Sequence, residues 1–400
     1  MYGNAAELAL CPVFPSLRFD GIGIVVRAGS SGAPRTRLLF LSAMPPPTGG
    51  IPTWLLAVLS SDLRERFEMR VVNTSPPEKR YVESGSRFRV DRALRALPAL
   101  FALLWQLIWF RPQLLHINTP YFWALWRDGV AVWMARLFGV KTLMHFHGGD
   151  LDESLQGLSP LLRRMIEATL RRSNCLIAIT RHTEAYLREI AAPERVAYLA
   201  NFLDLTDFQA DFASAPDRAR REGPLRVLFV GWMLEAKGVP ELLEAASRFP
   251  EVHFTLIGHH HSDFVERIAD EIEAARDHVT VLEPLPREQL LGLYRDADVF
   301  VLPTRREGFP IVVLEAMASG LPVVATPVGA IPDAIRDGED GLIIPVGDAG
   351  ALTEALRRLL VDPDLRRHMG ESGRRRVEEV YSREVVIRQL EELYRSLLAG

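Results

Sequence analysis

The chain reads as an α/β protein built from two doubly wound domains in tandem. Three observations predict this. Four hundred residues exceed one ordinary core and suit two domains. Short apolar runs alternate with longer amphipathic stretches, which is how consecutive βαβ units around a buried parallel sheet read. One polar stretch without steady periodicity, "DLTDFQADFASAPDRARREGP" at 204–224, divides the two series. Ligands of doubly wound sheets lie beyond the carboxyl ends of the strands, so two such domains facing each other are expected to hold a ligand in the cleft between them.

The first series of strands is expected at "RLLFLSA" (37–43), "EMRVVN" (68–73), "QLLHIN" (113–118), "KTLMHFH" (141–147) and "CLIAIT" (175–180). The second is expected at "LRVLFVG" (225–231), "VHFTLIG" (252–258), "HVTVLE" (278–283), "VFVLPT" (299–304), "LPVVAT" (321–326) and "GLIIP" (341–345). Helices such as "VPELLEAASRF" and "REQLLGLYRDA" fall between them. The domains are therefore drawn at 36–203 and 225–380, with 204–224 as linker, 381–400 as a terminal packing helix, and 1–35 as a loose extension.

An apolar fraction of 48% with 24% charged residues is the composition of a soluble globular enzyme, not of a fibrous or disordered chain. Cys11 and Cys175 stand far apart without CxxC spacing, so no disulfide framework or cysteine metal site is expected, and a cytoplasmic setting fits best. "LALCPVFPSLRF" is too short, too proline-broken and too poor in basic leader to be a signal peptide. The longest apolar run, "LPALFALLWQLIWF" at 97–110, falls short of the roughly 20 residues a membrane span needs. Charge is uneven: residues 36–203 hold 21 Lys/Arg against 14 Asp/Glu, while 204–400 hold 23 against 35. A basic first half favours an anionic membrane face or acidic partner, and nucleic acid is not expected as a partner.

The chemistry gathers where strands end. Gly49-Gly50 follows the first strand and opens a helix, a place where bare backbone N–H groups suit phosphate, or where a tight turn is needed and nothing more. His147 in "HFHGGD" ends another strand and can exchange a hydrogen bond near neutral pH. In "FVGWMLEAKGVPELLEA" Lys237 stands before a helix as a point charge for phosphate, although no GxxxxGK[ST] loop is present. In "EGFPIVVLEAMASG", 307–320, a helix starting at Pro310 leaves N–H groups free near Ile311 and Val312, where a diphosphate could dock. Glu307 and Glu315, eight residues apart, are acceptors suited to paired hydroxyls, and the apolar neighbours of Glu315 predict that it is partly buried with a partner. "GHHHSD", 258–263, is not read as a metal site, because adjacent histidines diverge and no second ligand cluster accompanies them.

Together, "REGFPIVVLEAMASGLPVVATPVGAIPDAIRDGEDGLIIP", "FVGWMLEAKGVPELLEA" and "DADVFVLPT" resemble the donor-binding domain of the family-4 retaining glycosyltransferases of the GT-B fold. "PPPTGGI", "HFHGGD" and "YLANFLDLTDF" extend the likeness more weakly over most of 37–395. The resemblance implies two Rossmann-like domains, an acceptor-binding first and a nucleotide-sugar-binding second, with the terminal helix crossing back to the first. It implies that Glu307 binds hydroxyls of the donor sugar, Glu315 the ribose, and Lys237 the diphosphate. The amides following Phe309, at Ile311 and Val312, and the Gly49-Gly50 loop would assist Lys237, with Gly308, Phe309, Pro310, Gly231 and Trp232 also lining the donor site, while His147 would lie against the transferred sugar.

The chain departs from that pattern after Gly231, where the family usually has an arginine and this sequence has Trp232. Lys237 then carries more of the leaving-group charge, or the indole shapes the acceptor side. The resemblance also implies transfer without a metal or other cofactor and with no separate catalytic base, the leaving phosphate taking the acceptor's proton. Two alternatives remain open from sequence: another GT-B enzyme, an epimerase or sugar phosphorylase, and a non-catalytic nucleotide-sugar-binding protein. The acceptor, a glycan or lipid-linked sugar, is read by the first half. There "ALFALLWQLIWFRP" and "YFWALWRDGVAVWMARLF" read first as buried core helices, and second as a peripheral contact with an anionic membrane face.

Overall fold

The computed structural model describes residues 17–19, 24–26, 35–45, 49–75, 90–120, 124–149, 151–208, 223–259 and 262–399. Two compact units divide the chain, one comprising Met1–Ala200 with Val386–Gly400 and the other Asn201–Val385.

The first unit is built on an eight-stranded sheet. Its strands are β1 (Leu17–Phe19), β2 (Ile24–Val26), β3 (Thr36–Ser42), β4 (Phe67–Asn73), β5 (Leu114–Thr119), β6 (Lys141–Phe146), β7 (Cys175–Ala178) and β8 (Val196–Tyr198), in the order β1-β2-β4-β3-β5-β6-β7-β8. From β4 to β8 every pairing is parallel, and all six positions of β5 are buried, as a sheet covered on both faces requires. The order reverses between β3 and β5, the position at which a doubly wound sheet opens a crevice.

Of residues 1–35, expected as a loose extension, Leu17–Phe19 and Ile24–Val26 form β1 and β2, which pair antiparallel with each other and then with β4, while nearly all the rest of that stretch lies outside the described residues. β2 thereby gives the outer edge of β4 a hydrogen-bonding partner. β8 was not expected from sequence, because three residues are too short a run to show periodicity.

The helix Arg383–Ala399 belongs largely to this unit. Its Tyr394 hydroxyl meets Nδ1 of His116 on β5 at 2.6 Å, its ring stands edge-on to Phe67, and Glu391 pairs with Arg66. The reading of 99–112 and 121–138 as core helices holds, among the described residues, for one face only. The helix Val90–Trp109 buries Leu103 and Leu107, yet Phe101 and Trp109 are 69% and 67% exposed.

The second unit holds six parallel strands, β9 (Arg226–Val230), β10 (His253–Ile257), β11 (Val279–Leu282), β12 (Val299–Leu302), β13 (Val323–Ala325) and β14 (Gly341–Ile343). Their order is β11-β10-β9-β12-β13-β14, the Rossmann order, with its reversal between β9 and β12. Whatever follows β9 and β12 therefore rims the crevice of this unit.

Candidate functional site

In the second unit the loops after β9 and β12 are stitched together. Arg305 donates its backbone N–H to the carbonyl of Ala236 at 2.9 Å, and the Thr304 hydroxyl donates to the same carbonyl at 3.2 Å. Gly238 sits at φ +72°, and a Cβ there would lie 2.0 Å from the carbonyl oxygen of Pro303, so only glycine permits this approach. The stitching brings Lys237, on the turn Glu235–Lys237, against Glu307, on the loop after β12, and the two form a largely buried ion pair.

Glu307 does not lie on the helix that follows, which runs Ile311–Ala318 with Pro310 as its N-cap. The two glutamates therefore do not share a helical face; they diverge to different partners. Gly308 and Glu307 are held from behind by Gly329, whose φ is +57° and whose added Cβ would meet the Glu307 and Gly308 carbonyl oxygens at 2.3 and 2.4 Å. Ala330 donates its N–H to Gly308 at 2.8 Å. Phe309 is buried with its ring edge-on to Tyr381, anchoring the loop, and Pro310 is buried beside it. The amides of Ile311 and Val312, half-buried in the first helical turn, donate to no backbone acceptor among the described residues. They stand at the positive end of the helix, where an anion is favoured by about 0.3–1 kcal/mol or more.

Glu315, inside that helix, is 7% exposed and has the partners its burial demands. The Tyr294 hydroxyl donates to Oε2 at 3.0 Å, and Arg287 pairs with Oε1 while also reaching Asp207 at 3.2 Å. Burial first, and then the Glu315 carboxylate, push the Tyr294 phenol well above its ordinary value. Neither partner is identifiable from sequence as such, since Arg287 and Tyr294 sit in what reads as an ordinary amphipathic helix.

Gly231 and Trp232 follow directly on β9. Gly231 donates its N–H to Ile257 at 2.9 Å, and Gly258 is pressed so close that a Cβ would lie 1.8 Å from the Gly231 carbonyl oxygen. Trp232 is 40% exposed and inclined against the ring of His259, with centroids 5.1 Å apart. An aromatic platform thus occupies the end of β9. His260 and His261 lie outside the described residues, among which no group of three His, Cys, Asp or Glu side chains could hold a metal ion.

In the first unit, Gly49 caps the helix Gly50–Ser60 in extended backbone, and Gly50 is exposed with open space around its Cα. Residues 46–48 of that loop lie outside the described residues. From the same helix Trp54 packs its ring against His116, His145 and His147, with centroids 5.4, 4.9 and 5.4 Å away. His147 follows β6, and its Nε2 meets Oδ1 of Asn118 at the end of β5 at 2.9 Å. Nδ2 of Asn118 donates to the hydroxyl of Ser42, at the end of β3, at 3.0 Å, across the sheet's reversal.

Three imidazoles crowd beneath Trp54. Burial holds His147 down to about 3, and burial together with His147 holds His116 down to about 3 despite the opposing Asn118 carboxamide. His145 is lowered as well, by burial and then by both neighbours, and neither of its ring nitrogens has a hydrogen-bond partner among the described residues. His147 is thus a neutral imidazole. Sequence reasoning found His147 but not Trp54, Asn118 or Ser42; for the last two a signal was available in "LHIN" and "FLS", each of which ends an apolar strand on a polar residue.

The family described as "Glycosyl transferases group 1" matches residues 212–376, and "Glycosyl transferase 4-like domain" matches 50–201. D-inositol 3-phosphate glycosyltransferase of Corynebacterium urealyticum is 31% identical over 301 residues, covering 68% of this chain and 70% of that protein. The capsular polysaccharide biosynthesis glycosyltransferase CapM of Staphylococcus aureus is 32% identical over 178 residues, covering 42% and 46%. Among solved structures, sucrose-phosphate synthase from Thermosynechococcus elongatus superposes with a TM-score of 0.74 at 24% identity, over 91% of this chain and all of that one. HepE of Anabaena, in complex with UDP, superposes with a TM-score of 0.70 at 17% identity, over 90% of this chain and 100% of that one. At such identities the likeness shows the fold, GT-B.

Proposed function

Since the chain belongs to the group 1, family-4 glycosyltransferases, we propose that it moves a hexose-type sugar from a nucleotide diphosphate sugar to a glycan or lipid-linked acceptor, with retention and without a metal. One observation carries the reading: a cation, Lys237, an acid, Glu307, and the free amides of Ile311 and Val312 converge where the second sheet reverses. A nucleotide diphosphate sugar presents phosphate and hydroxyls side by side in the same way.

In this reading Lys237 and the Ile311 and Val312 amides take the diphosphate, Glu307 accepts hydrogen bonds from the sugar hydroxyls, and Glu315 accepts from the ribose. The C–O bond from the anomeric carbon to the β-phosphate breaks as the acceptor oxygen bonds to that carbon on the same face. The acceptor's proton passes to the departing phosphate oxygen, so no side chain is required as base. Helix dipole, amides and lysine supply the charge stabilisation that a metal gives elsewhere. His147, neutral, exchanges a hydrogen bond with a sugar hydroxyl without adding charge, and Gly49-Gly50 leaves backbone open to phosphate. Trp232, where the family usually has arginine, leaves Lys237 as the main side-chain cation for the diphosphate. The relative from Corynebacterium urealyticum is named for an inositol phosphate acceptor, and HepE was solved with UDP; these are the first acceptor and nucleotide classes to try.

The test is Glu307→Ala, assayed for transfer from UDP-, GDP- and ADP-sugars with and without EDTA. Turnover falls by about 100-fold or more while the nucleotide's stabilisation of the fold against heat persists, and EDTA leaves the parent rate unchanged. Equal loss of binding and turnover would contradict the role given to Glu307, and an EDTA-sensitive rate would contradict metal independence.

A further inference from the structure

The largest feature that the proposed chemistry leaves unused is an apolar surface on the first unit. Three helices compose it: Val90–Trp109, Leu125–Leu137 and Pro160–Leu170, the middle one packed against both others. Their inner faces join the core through Leu103, Leu107, Val132, Ala135, Ile166 and Leu170. Their outer faces are apolar too. On the first helix Leu97, Phe101, Trp105, Ile108 and Trp109 recur at three- and four-residue spacing and are all exposed. Val130, Trp133 and Leu137 repeat the stripe on the second, and Leu161 and Met165 on the third, with Leu137 85% and Leu161 72% exposed.

A helix apolar on both faces is ordinarily enclosed, and neighbouring stripes of this kind on one face make a patch that water alone covers poorly. The charges around it have one dominant sign. In residues 96–111, 125–138 and 160–172, the buried pair Arg127–Asp128 aside, six arginines (111, 136, 163, 164, 171 and 172) face one acid, Glu167. Glu167 is already paired with Arg163 and Arg171. The aromatics are held ready: Trp105 and Trp109 lie ring to ring at 5.4 Å, Trp133 donates its indole N–H to Thr169 at 3.3 Å, and the Arg172 guanidinium lies 4.8 Å over its ring.

We propose that the outer faces of Val90–Trp109, Leu125–Leu137 and Pro160–Leu170 dock in the headgroup plane of an anionic lipid bilayer. Tryptophan with an apolar body and a satisfied N–H suits that boundary, and arginines around apolar side chains add attraction to negative headgroups. No helix among the described residues is long and apolar enough to cross, so the surface lies on the membrane rather than through it. A second copy is the less suitable occupant, because a two-fold contact would set this arginine-rich rim against itself. The inference deepens the proposed transfer to a lipid-linked acceptor and rests on that reading for what the docked enzyme would reach.

The test is flotation of the full chain with phosphatidylcholine vesicles with and without phosphatidylglycerol. At low salt the parent floats with the anionic vesicles, and high salt returns it to the soluble fraction. Phe101→Glu combined with Trp109→Glu lowers the bound fraction by about tenfold or more. Arg111→Glu combined with Arg164→Glu removes the preference for anionic lipid. All these positions are exposed, so the variants should melt with the parent, which is checked alongside. A parent unmoved by any vesicle, flotation undiminished by the paired change at Phe101 and Trp109, or a concentration-dependent dimer that the same change dissolves would each overturn the proposal. Thermal stabilisation by nucleotide sugars is measured on parent and variants together. Flotation without that stabilisation sinks the transferase reading and leaves the surface, and the converse sinks the surface alone.

Discussion

Nε2 of His147 lies 2.9 Å from Oδ1 of Asn118, and this contact fixes how the histidine can act. The hydroxyl of Ser42 donates to the carbonyl of Ala43 at 3.2 Å, so its lone pair receives Nδ2 of Asn118 at 3.0 Å, and the amide oxygen is turned toward the imidazole. His147 therefore carries its proton on Nε2 and keeps a lone pair on Nδ1, ready to accept from a sugar hydroxyl. Nitrogen-15 NMR at neutral pH should show the Nε2–H tautomer. Asn118→Leu, similar in volume but without the amide, should release the ring and lower turnover by about tenfold, with melting changed far less than turnover. An Nδ1–H tautomer in the parent would reverse the hydrogen-bond chain and with it this role.

The same cluster makes stability depend on pH. His116 and His147 are held down to about 3 and His145 is lowered, all chiefly by burial, whereas the unfolded chain titrates them near 6.5. Below 6.5 the unfolded state binds protons that the folded state refuses, so the contribution is full above 6.5 and is lost as pH falls toward about 3. For His116 and His147 this amounts to a slope of up to about 1.4 kcal/mol per pH unit each in that window. Urea unfolding at several pH values between 8 and 4 measures it. His145→Phe should make the fall shallower, and an unchanged slope would mean that water reaches the cluster.

Much of this architecture is legible in the residues. Strands such as "RVLFV" and "VFVL" announce themselves because a sheet covered on both faces needs near-continuous apolar runs. What sequence conceals is whatever depends on which strands become neighbours. Asn118 and Ser42 are 76 residues apart and meet only because β5 lies beside β3. Lys237 and Glu307, 70 apart, meet only because β12 lies beside β9. The helices at 97–110 and 125–137 mislead for the opposite reason: their composition is that of a core, and composition cannot tell a face packed on protein from one turned outward.

Gly329 supports the acidic loop without touching a ligand in any proposed role. Its φ of +57° and the 2.3 Å and 2.4 Å that a Cβ would leave to the carbonyl oxygens of Glu307 and Gly308 leave no room for a side chain. Those atoms are backbone and cannot swing aside, so Gly329→Ala must move the loop that carries Glu307. The expected cost is about 1–3 kcal/mol in urea unfolding, with a rise in KM for the nucleotide sugar beyond what lost folded protein explains. A variant with parental stability and KM would show that the loop relaxes freely.

Glu315 has two possible occupations, and they can be separated. Its Oε1 is paired with Arg287 and its Oε2 receives the Tyr294 hydroxyl at 3.0 Å, so the carboxylate is already satisfied in the protein. A carboxylate oxygen has further lone pairs, and a ribose hydroxyl can donate to one without displacing Arg287. If Glu315 holds the ribose, the nucleotide should bind more tightly than its 2′,3′-dideoxy analogue by about 5- to 150-fold, the range of one hydrogen bond to a charged or buried acceptor. Glu315→Gln should abolish most of that difference while leaving the dideoxy analogue's affinity nearly unchanged. Arg287→Ala should instead destabilise the fold by about 1–3 kcal/mol, because a buried carboxylate loses its cation, yet retain discrimination between the two nucleotides. Discrimination that survives in Glu315→Gln would place ribose recognition elsewhere and leave Glu315 as a structural anchor for Arg287 and Tyr294.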